Sequence, residues 1–323
     1  MKKYLFSAIA MAMMSATLLS CSNDDNNNDN SGSSTMPTPQ FESLVTNIVL
    51  DEPVKVRPSL DEGRQLELSE ITLAEDGIVF FQIKDIRIDT ETDKPVPTDE
   101  DKVIVVPDKA KSFDGSKLVL EKHGSIEIIE ITRATIIARV NVNVQLDVPG
   151  YGTVVFETEA ENLPGATVNK PTTPTDKAQL DLFRTWKIRG IMCDITGDVT
   201  VSKEFTGGYL KPICDEAIRQ GATLTEEEQA EFNKTIQSIT ISRAGIFNIT
   251  YTDGTCLANT YTWQAGQTSF NISILTDDMA NKYISEGSVV SYEIKGNRCN
   301  LKLDTEIKGN KNYRAVLILQ LEY

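Results

Sequence analysis

From Phe41 to about Leu163, apolar and polar residues alternate along the chain with almost no helical period. Glu70-Ile71-Thr72-Leu73 runs into Glu75-Asp76-Gly77, and the alternation resumes over Ile78 to Ile88, Ile126 to Leu146 and Tyr151 to Glu157. A period of two puts every second side chain on one face of a sheet. An Asp-Gly pair between β-rich runs marks a hairpin, because the tight turn needs positive φ. Residues 41–163 are therefore predicted to form an all-β domain. The next stretch, 164–176, gathers Pro164, Pro171 and Pro174. That composition suits a semi-rigid linker and marks the expected domain boundary.

A second domain is predicted over 177–323. It opens with a short helix, Lys177 to Phe183, leading into Trp186-Lys187-Ile188, and strand patterns follow at 237–242, 245–251, 255–263, 269–275, 289–295, 299–307 and 313–323. Between the first strand and the rest lies a helical insert, 209–236. Leu210, Ile213, Cys214, Ala217 and Ile218 recur at helix spacing and Gly221 stops the run. Thr225 with Glu228 forms a capping box for a second helix carrying Phe232 and Ile236. Leu210, Ile213, Phe232 and Ile236 are expected to turn toward the domain interior as a lid or plug. The run Glu226-Glu227-Glu228 reads as negative charge favoured at a helix amino-terminus rather than as an acid or metal site. The halves also echo one another: Glu70 to Ile78 matches Ser238 to Ile246 in pattern and in the position of its turn glycine. Shared ancestry and shared hairpin grammar both account for a match this short.

The amino terminus changes the address. Lys2 and Lys3 precede an apolar run from Leu5 to Leu19, the plan of a cleaved secretory signal (1–20) and too short for a well-flanked spanning helix. The run ends in Leu18-Leu19-Ser20-Cys21, which resembles the bacterial lipobox; that resemblance implies cleavage before Cys21 and a thioether-linked lipid on its sulfur. Residues 21–40, rich in Asn, Asp and Ser, have nothing to bury and are expected to form a disordered tether reaching about 25 Å on average. The acidic, Asn-rich stretch after Cys21 also resembles the surface-export signal of Bacteroidetes-type lipoproteins, which implies an outer-membrane lipoprotein at the cell surface, with the periplasmic face as the alternative. Partners then include the membrane itself, through the lipid. Net charge is −15, with 47 acidic against 32 basic side chains. Such a surface repels phosphate backbones, so nucleic acid is not an expected partner.

The Trp186-Lys187-Ile188 opening after a short helix, with the hairpins Thr250 to Thr255 and Lys295 to Leu301, resembles the lipocalin-like, or calycin-like, domains of Bacteroidetes lipoproteins, a group largely without known function. The likeness covers about 178–323 and, more loosely, 41–163. It implies a mainly β fold of two tandem lipocalin-like β-barrel, or β-sandwich, domains, the second with a two-helix insert.

Candidate chemistry is sparse. The single histidine, His123, sits in Glu121-Lys122-His123-Gly124-Ser125 and reads as a hairpin-tip residue, so a His-rich zinc site or a Ser-His or Cys-His pair lacks its material. Asp89, Glu91, Asp93, Asp99, Glu100 and Asp101 concentrate acid in one loop. Oxygen ligands suit calcium, but the spacing is not that of an EF-hand, and a solvated loop is the simpler reading. No cofactor or metal is called for. Cys193, Cys214, Cys256 and Cys299 all fall in the second domain; export makes disulfides the expectation. Period two favours Cys193–Cys256 with Cys214–Cys299 among the three pairings, and buried free thiols are the alternative. Among the aromatics, Tyr261 and Trp263 share one strand face and are the expected liners of any cavity in the second domain. The leading expectation is a non-enzymatic envelope lipoprotein binding a small-molecule or glycan ligand. A structural or assembly role of the fimbrillin kind is the alternative, although no Lys or Arg stands between Cys21 and Lys55 to serve as a processing site. A carboxylate-dependent hydrolase comes third, for want of any nucleophile–base pair.

Overall fold

A computed structural model describes residues 45–61, 63–96, 101–122, 124–132, 137–169, 177–196, 201–221, 226–264, 268–274, 289–306 and 314–323. Cys21, His123, Asp99 and Glu100 lie outside the described residues. The chain divides between Pro171 and Thr172 into two compact units. Each is a closed, eight-strand antiparallel β-barrel.

The first barrel is built from β1 (Thr46–Val56), β2 (Arg64–Leu73), β3 (Ile78–Asp89), the short β4 (Lys94–Pro95), β5 (Lys102–Phe113), β6 (Lys117–Leu120), β7 (Gly124–Thr132), β8 (Ile137–Val148), β9 (Gly152–Glu157) and β10 (Gly165–Asn169). Strands follow one another round the ring as a meander. The inward positions carry Ile48, Leu66, Leu68, Ile71, Phe81, Ile83, Val140, Val142, Val144 and Phe156, all buried in one cluster. A bulge in β2 between Leu68 and Glu70 lets residues of opposite parity, Leu68 and Ile71, face the same interior.

Closure of this barrel shortens the expected linker at its start, while the division of the chain between Pro171 and Thr172 falls inside 164–176. Residues 165–169 are not linker: β10 pairs with β1 (Ala166 opposite Leu50, Val168 opposite Ile48) and with β8 (Ala166 opposite Ala138). Ala166 and Val168 are buried while Thr167 and Asn169 are exposed, the period of a half-buried strand. The flanking prolines disguise it. Pro164 stands just ahead of the strand, where no ladder N–H is needed, and its carbonyl accepts the Val140 N–H at 3.2 Å.

The second barrel comprises a helix α1 (Lys177–Leu182), β11 (Arg184–Thr196), β12 (Val201–Thr206), helices α2 (Lys211–Arg219) and α3 (Glu226–Glu231), then β13 (Ile236–Ser242), β14 (Ile246–Tyr251), β15 (Cys256–Trp263), β16 (Ser269–Ile274), β17 (Val289–Lys295), β18 (Arg298–Glu306) and β19 (Arg314–Glu322). Strand β11 is long enough to serve two neighbours on one edge: its first half pairs with β13 and its second with β12, while β19 closes the ring on the other edge. A register shift in β11 between Ile188 and Gly190 marks the handover. At Gly190 a Cβ would stand 2.9 Å from the Phe205 carbonyl oxygen, so the glycine is what lets β12 approach. Strand β12 itself was hidden in the sequence, because of Val-Ser-Lys-Glu-Phe-Thr only Phe205 is shown buried.

The insert packs only in part as its periodicity predicts: the second helix ends at Glu231, so Phe232 lies just beyond it and Ile236 opens β13 instead of continuing the helix. Leu210, Ile213, Cys214, Phe232 and Ile236 are buried in the same cluster as the barrel interior, whereas Ile218 points outward and is exposed. Where the insert crosses the start of β13, Gly208 accepts the Ile236 N–H at 2.9 Å. A Cβ there would meet the Ile236 carbonyl oxygen at 2.2 Å. The sequence echo also finds a place: Glu70 to Ile78 joins β2 to β3 and Ser238 to Ile246 joins β13 to β14, the second and third strands of each ring.

Candidate functional site: a cavity in the second barrel

The strand directions put Arg184, Ser242, Trp263, Ser269, Lys295 and Glu322 at one end of the second barrel. That end is filled. Trp186 donates its indole N–H to the Leu182 carbonyl at 2.9 Å, tying α1 to β11. Phe183 meets Trp263 edge-on with ring centroids 6.1 Å apart. Trp263 in turn touches Tyr261 at 5.5 Å, Phe270 at 5.6 Å and Tyr292 at 6.2 Å. Such edge and tilted contacts contribute beyond simple burial. The Arg184 guanidinium covers the same end, 4.3 Å from the Tyr323 ring centroid and 5.3 Å from that of Trp186.

Next to this plug the interior opens into a cavity lined by Phe247, Ile249, Leu257, Asn259, Ile272, Val290, Leu301, Leu303, Leu317 and Leu319. The centre of a water molecule has about 30 Å³ in which to move there, against the ~10–15 Å³ that holds a single water on that measure. Nine of the ten lining side chains are apolar. The tenth, Asn259, is 1% exposed.

The geometry around Asn259 is specific. Its side-chain NH₂ donates to the Phe247 carbonyl at 2.9 Å and, more weakly, to the Leu257 carbonyl at 3.4 Å. Its backbone N–H donates to Oδ1 of Asn248 at 3.0 Å. Two carbonyls can be served only by the nitrogen of the amide, which fixes the orientation of the group. Oδ1 is left buried without a hydrogen-bond partner. An unpaired buried acceptor costs roughly 1–3 kcal/mol. Acid, base and nucleophile are all missing from the ten liners, so what the arrangement offers is shape and apolar surface.

No protein family, characterised protein or solved structure matches this chain. The site must therefore be read from its own chemistry.

Tyr261 and Trp263, expected to line a cavity, belong to the aromatic plug instead and are not among the liners. Tyr261 is further committed by donating its hydroxyl to the Ser242 carbonyl at 2.8 Å. The expected disulfides are also corrected: Cys193, Cys214, Cys256 and Cys299 are free and buried. The bulge in β11 shifts parity, so Cys193 faces the core with Trp186 rather than away from it. Cys193 and Cys299 both flank β19 but lie opposite Leu317 and Leu321. Four residues of strand separate them, about 13 Å and beyond disulfide reach. Cys256 lies beside Thr250 on β14, on the opposite face of β15 from Asn259 and Tyr261. Burial pushes the thiols of Cys193, Cys256 and Cys299 up to about 12.

Asn259 escaped the sequence reading, although a signal existed. It stands between Leu257 and Tyr261 at inward parity in β15, and a polar residue at an inward position is the informative exception.

The other charged clusters serve the fold. Asp89 accepts the Glu91 and Thr92 backbone N–H groups, which holds its carboxyl below the usual range, and Asp93 pairs with Arg57. Asp101 accepts the Arg87 N–H, so Asp89, Asp93 and Asp101 are all engaged by groups of the protein itself. In the first barrel Asp85 is fully buried; it accepts the Tyr151 hydroxyl at 2.7 Å and lies 3.5 Å from Lys102 Nζ and 3.7 Å from Arg64 Nη1. This ties the β8–β9 turn to the end of β3, and burial beside that carboxylate pushes the Tyr151 phenol above its ordinary range. On α2, Glu216 accepts from Arg219, Gln220 and Lys203 of β12.

Proposed function

We propose that this chain is a non-enzymatic lipoprotein of the cell envelope, exported and held at the outer membrane by lipid on Cys21, whose second barrel binds a small apolar molecule. The observation that carries the binding part of this reading is the apolar cavity between Phe247 and Leu319. Apolar voids of this kind stay dry and take up apolar solutes, because water needs two to four polar partners and nine of the ten side chains here offer none. A glycan fits the lining poorly. Nearly every carbon of a sugar carries a hydroxyl, and each one left unpaired in such a site costs roughly 1–3 kcal/mol. The address rests on the signal-like amino terminus and the lipobox-like Leu18-Leu19-Ser20-Cys21.

Both parts are testable. Cys21→Ala should release the protein from membranes or stall its maturation; unchanged membrane association with a normally processed mass overturns the anchor. For the cavity, 1-butanol should produce saturable shifts in the methyl resonances of Leu257, Leu301 and Leu317, and Leu301→Phe, which fills the space, should abolish them. A protein that shows no saturable response would leave a structural role of the fimbrillin kind as the better account.

A further inference from the structure

The size and shape of the cavity decide how much of a molecule it takes. Where ~10–15 Å³ holds one water, its 30 Å³ holds roughly two or three water-sized groups. On β18 and β19 the liners are Leu301 with Leu319 and Leu303 with Leu317. These are successive inward positions about 7 Å apart along the strands, and β14 and β15 repeat the arrangement. Two or three groups spread over that length stand in a file one group wide. Three carbons in such a file gain roughly fourfold in affinity each, about sixtyfold together. That is too little to offset the freedom a free molecule of that size loses on binding. The cavity is thus an adequate site only for part of a longer molecule. Its contact with solvent is local: Ile272 is half-buried, whereas the other nine liners are buried. The β16–β17 ladder runs only from Ser269 to Asn271. One residue further on, Ile272 pairs with Tyr261 of β15 and, among the described residues, with nothing on the β17 side.

Resting on the reading of the second barrel as a binding site for apolar molecules, we propose that the cavity seats the terminal carbons of one unbranched alkyl chain, which enters past Ile272 and leaves its polar head outside. Each part of this has a physical ground. The plug of Trp263, Tyr261, Phe270 and Tyr292 closes the neighbouring end of the barrel, so the side of the wall at Ile272 is where solvent and cavity meet. A polar or charged head would lose its hydration among apolar liners and gain no partner there. A branched end or a ring sets carbons abreast where there is room for one, and overfilling a packed interior is itself costly. An unbranched end needs no such widening, and each carbon it places between Leu301 and Leu317 leaves water.

The test compares two isomeric alcohols, 1-hexanol and neohexanol, whose chain ends in a tert-butyl group. Each is titrated into the full-length protein and followed by the methyl resonances of the liners. The inference predicts that 1-hexanol binds about fifteenfold tighter, the worth of two carbons that the branched end cannot bury. Nuclear Overhauser contacts should run from its terminal methyl to Leu301 and Leu317 and from its hydroxyl-bearing carbon to Ile272. Ile272→Trp, which blocks the passage without replacing a buried liner, should weaken or abolish 1-hexanol binding. Should that variant fail to fold, the isomer comparison and the contacts on the unaltered protein still decide. Dihexanoyl-phosphatidylcholine below its micelle concentration separates the two sources of such a chain: matching shifts assign it to a lipid tail, and shifts with 1-hexanol alone assign it to a free single-chain molecule. Equal affinity for the two isomers, or a terminal methyl found beside Ile272, overturns the chain-end assignment and leaves the apolar-binding reading standing. If neither alcohol binds, that reading falls and the assignment with it.

Discussion

The closure of the first barrel by 165–169 can be tested with one substitution. Ala166 is fully buried, opposite both Leu50 and Ala138; Thr167, its neighbour, is exposed. Ala166→Asp therefore drives a carboxylate into a barrel interior lined by Ile48, Val140 and Phe156, whereas Thr167→Asp adds one to the surface. An uncompensated buried charge costs about 3–5 kcal/mol, while an ordinary surface change stays within about 0.5 kcal/mol. With a urea slope of ~1–3 kcal/mol/M for a domain of this size, the unfolding midpoint should fall by roughly 1–5 M for Ala166→Asp and hardly move for Thr167→Asp. Both tryptophans, Trp186 and Trp263, lie in the second barrel. The first barrel's transition is then followed by far-ultraviolet circular dichroism, and tryptophan fluorescence serves as an internal control that should not change. Burial raises the pKa of the new carboxyl above its unfolded value, so its charge penalises the fold at neutral pH and the loss should shrink as the pH falls below that raised value. Equal midpoints for the two variants would refute the argument and return 164–176 to the status of a linker.

The remaining predictions concern the second barrel. Contacts with Arg219, Gln220 and Lys203 hold the Glu216 carboxyl down to about 2, against 4.5 for a free glutamate. Its contribution to stability is thus complete above about pH 4.5 and is lost as the pH falls toward 2. Glu216→Gln should accordingly be less stable than the parent at pH 6, with the gap in urea midpoint closing between pH 4.5 and 2; a gap that is constant with pH would contradict this. Thiol reagent at pH 8 should leave Cys193, Cys214, Cys256 and Cys299 of the native protein unmodified and react with all four after unfolding without reductant. A denatured, unreduced protein with these four thiols already blocked as pairs would restore the disulfides.

How much of this was legible beforehand follows from the range of the interactions involved. Hairpins were readable because their signals are local: alternation, an Asp-Gly pair, a glycine at positive φ such as Gly77 or Gly245. The two helices of the insert were readable for the same reason, since Leu210, Ile213 and Cys214 carry their period in the sequence itself. Strand β10 was not, because five residues between prolines look like a linker until the edges of β1 and β8 are brought within pairing distance. The cysteines were misread because one bulge in β11 moved Cys193 to the other face, and a period of two turns every residue beyond such a shift. Asn259 carried a visible mark, a polar residue at inward parity. Its meaning needed the neighbours: only with the Phe247 and Leu257 carbonyls in place does one end of its amide become satisfied and the other stranded. The sequence by itself thus determined most of the strands and the helices of the insert, which depend on residues a few positions apart. The tertiary structure decided where each barrel closes, which side chains fill it and where a space is left, because those are set by contacts between residues distant along the chain that no local period encodes.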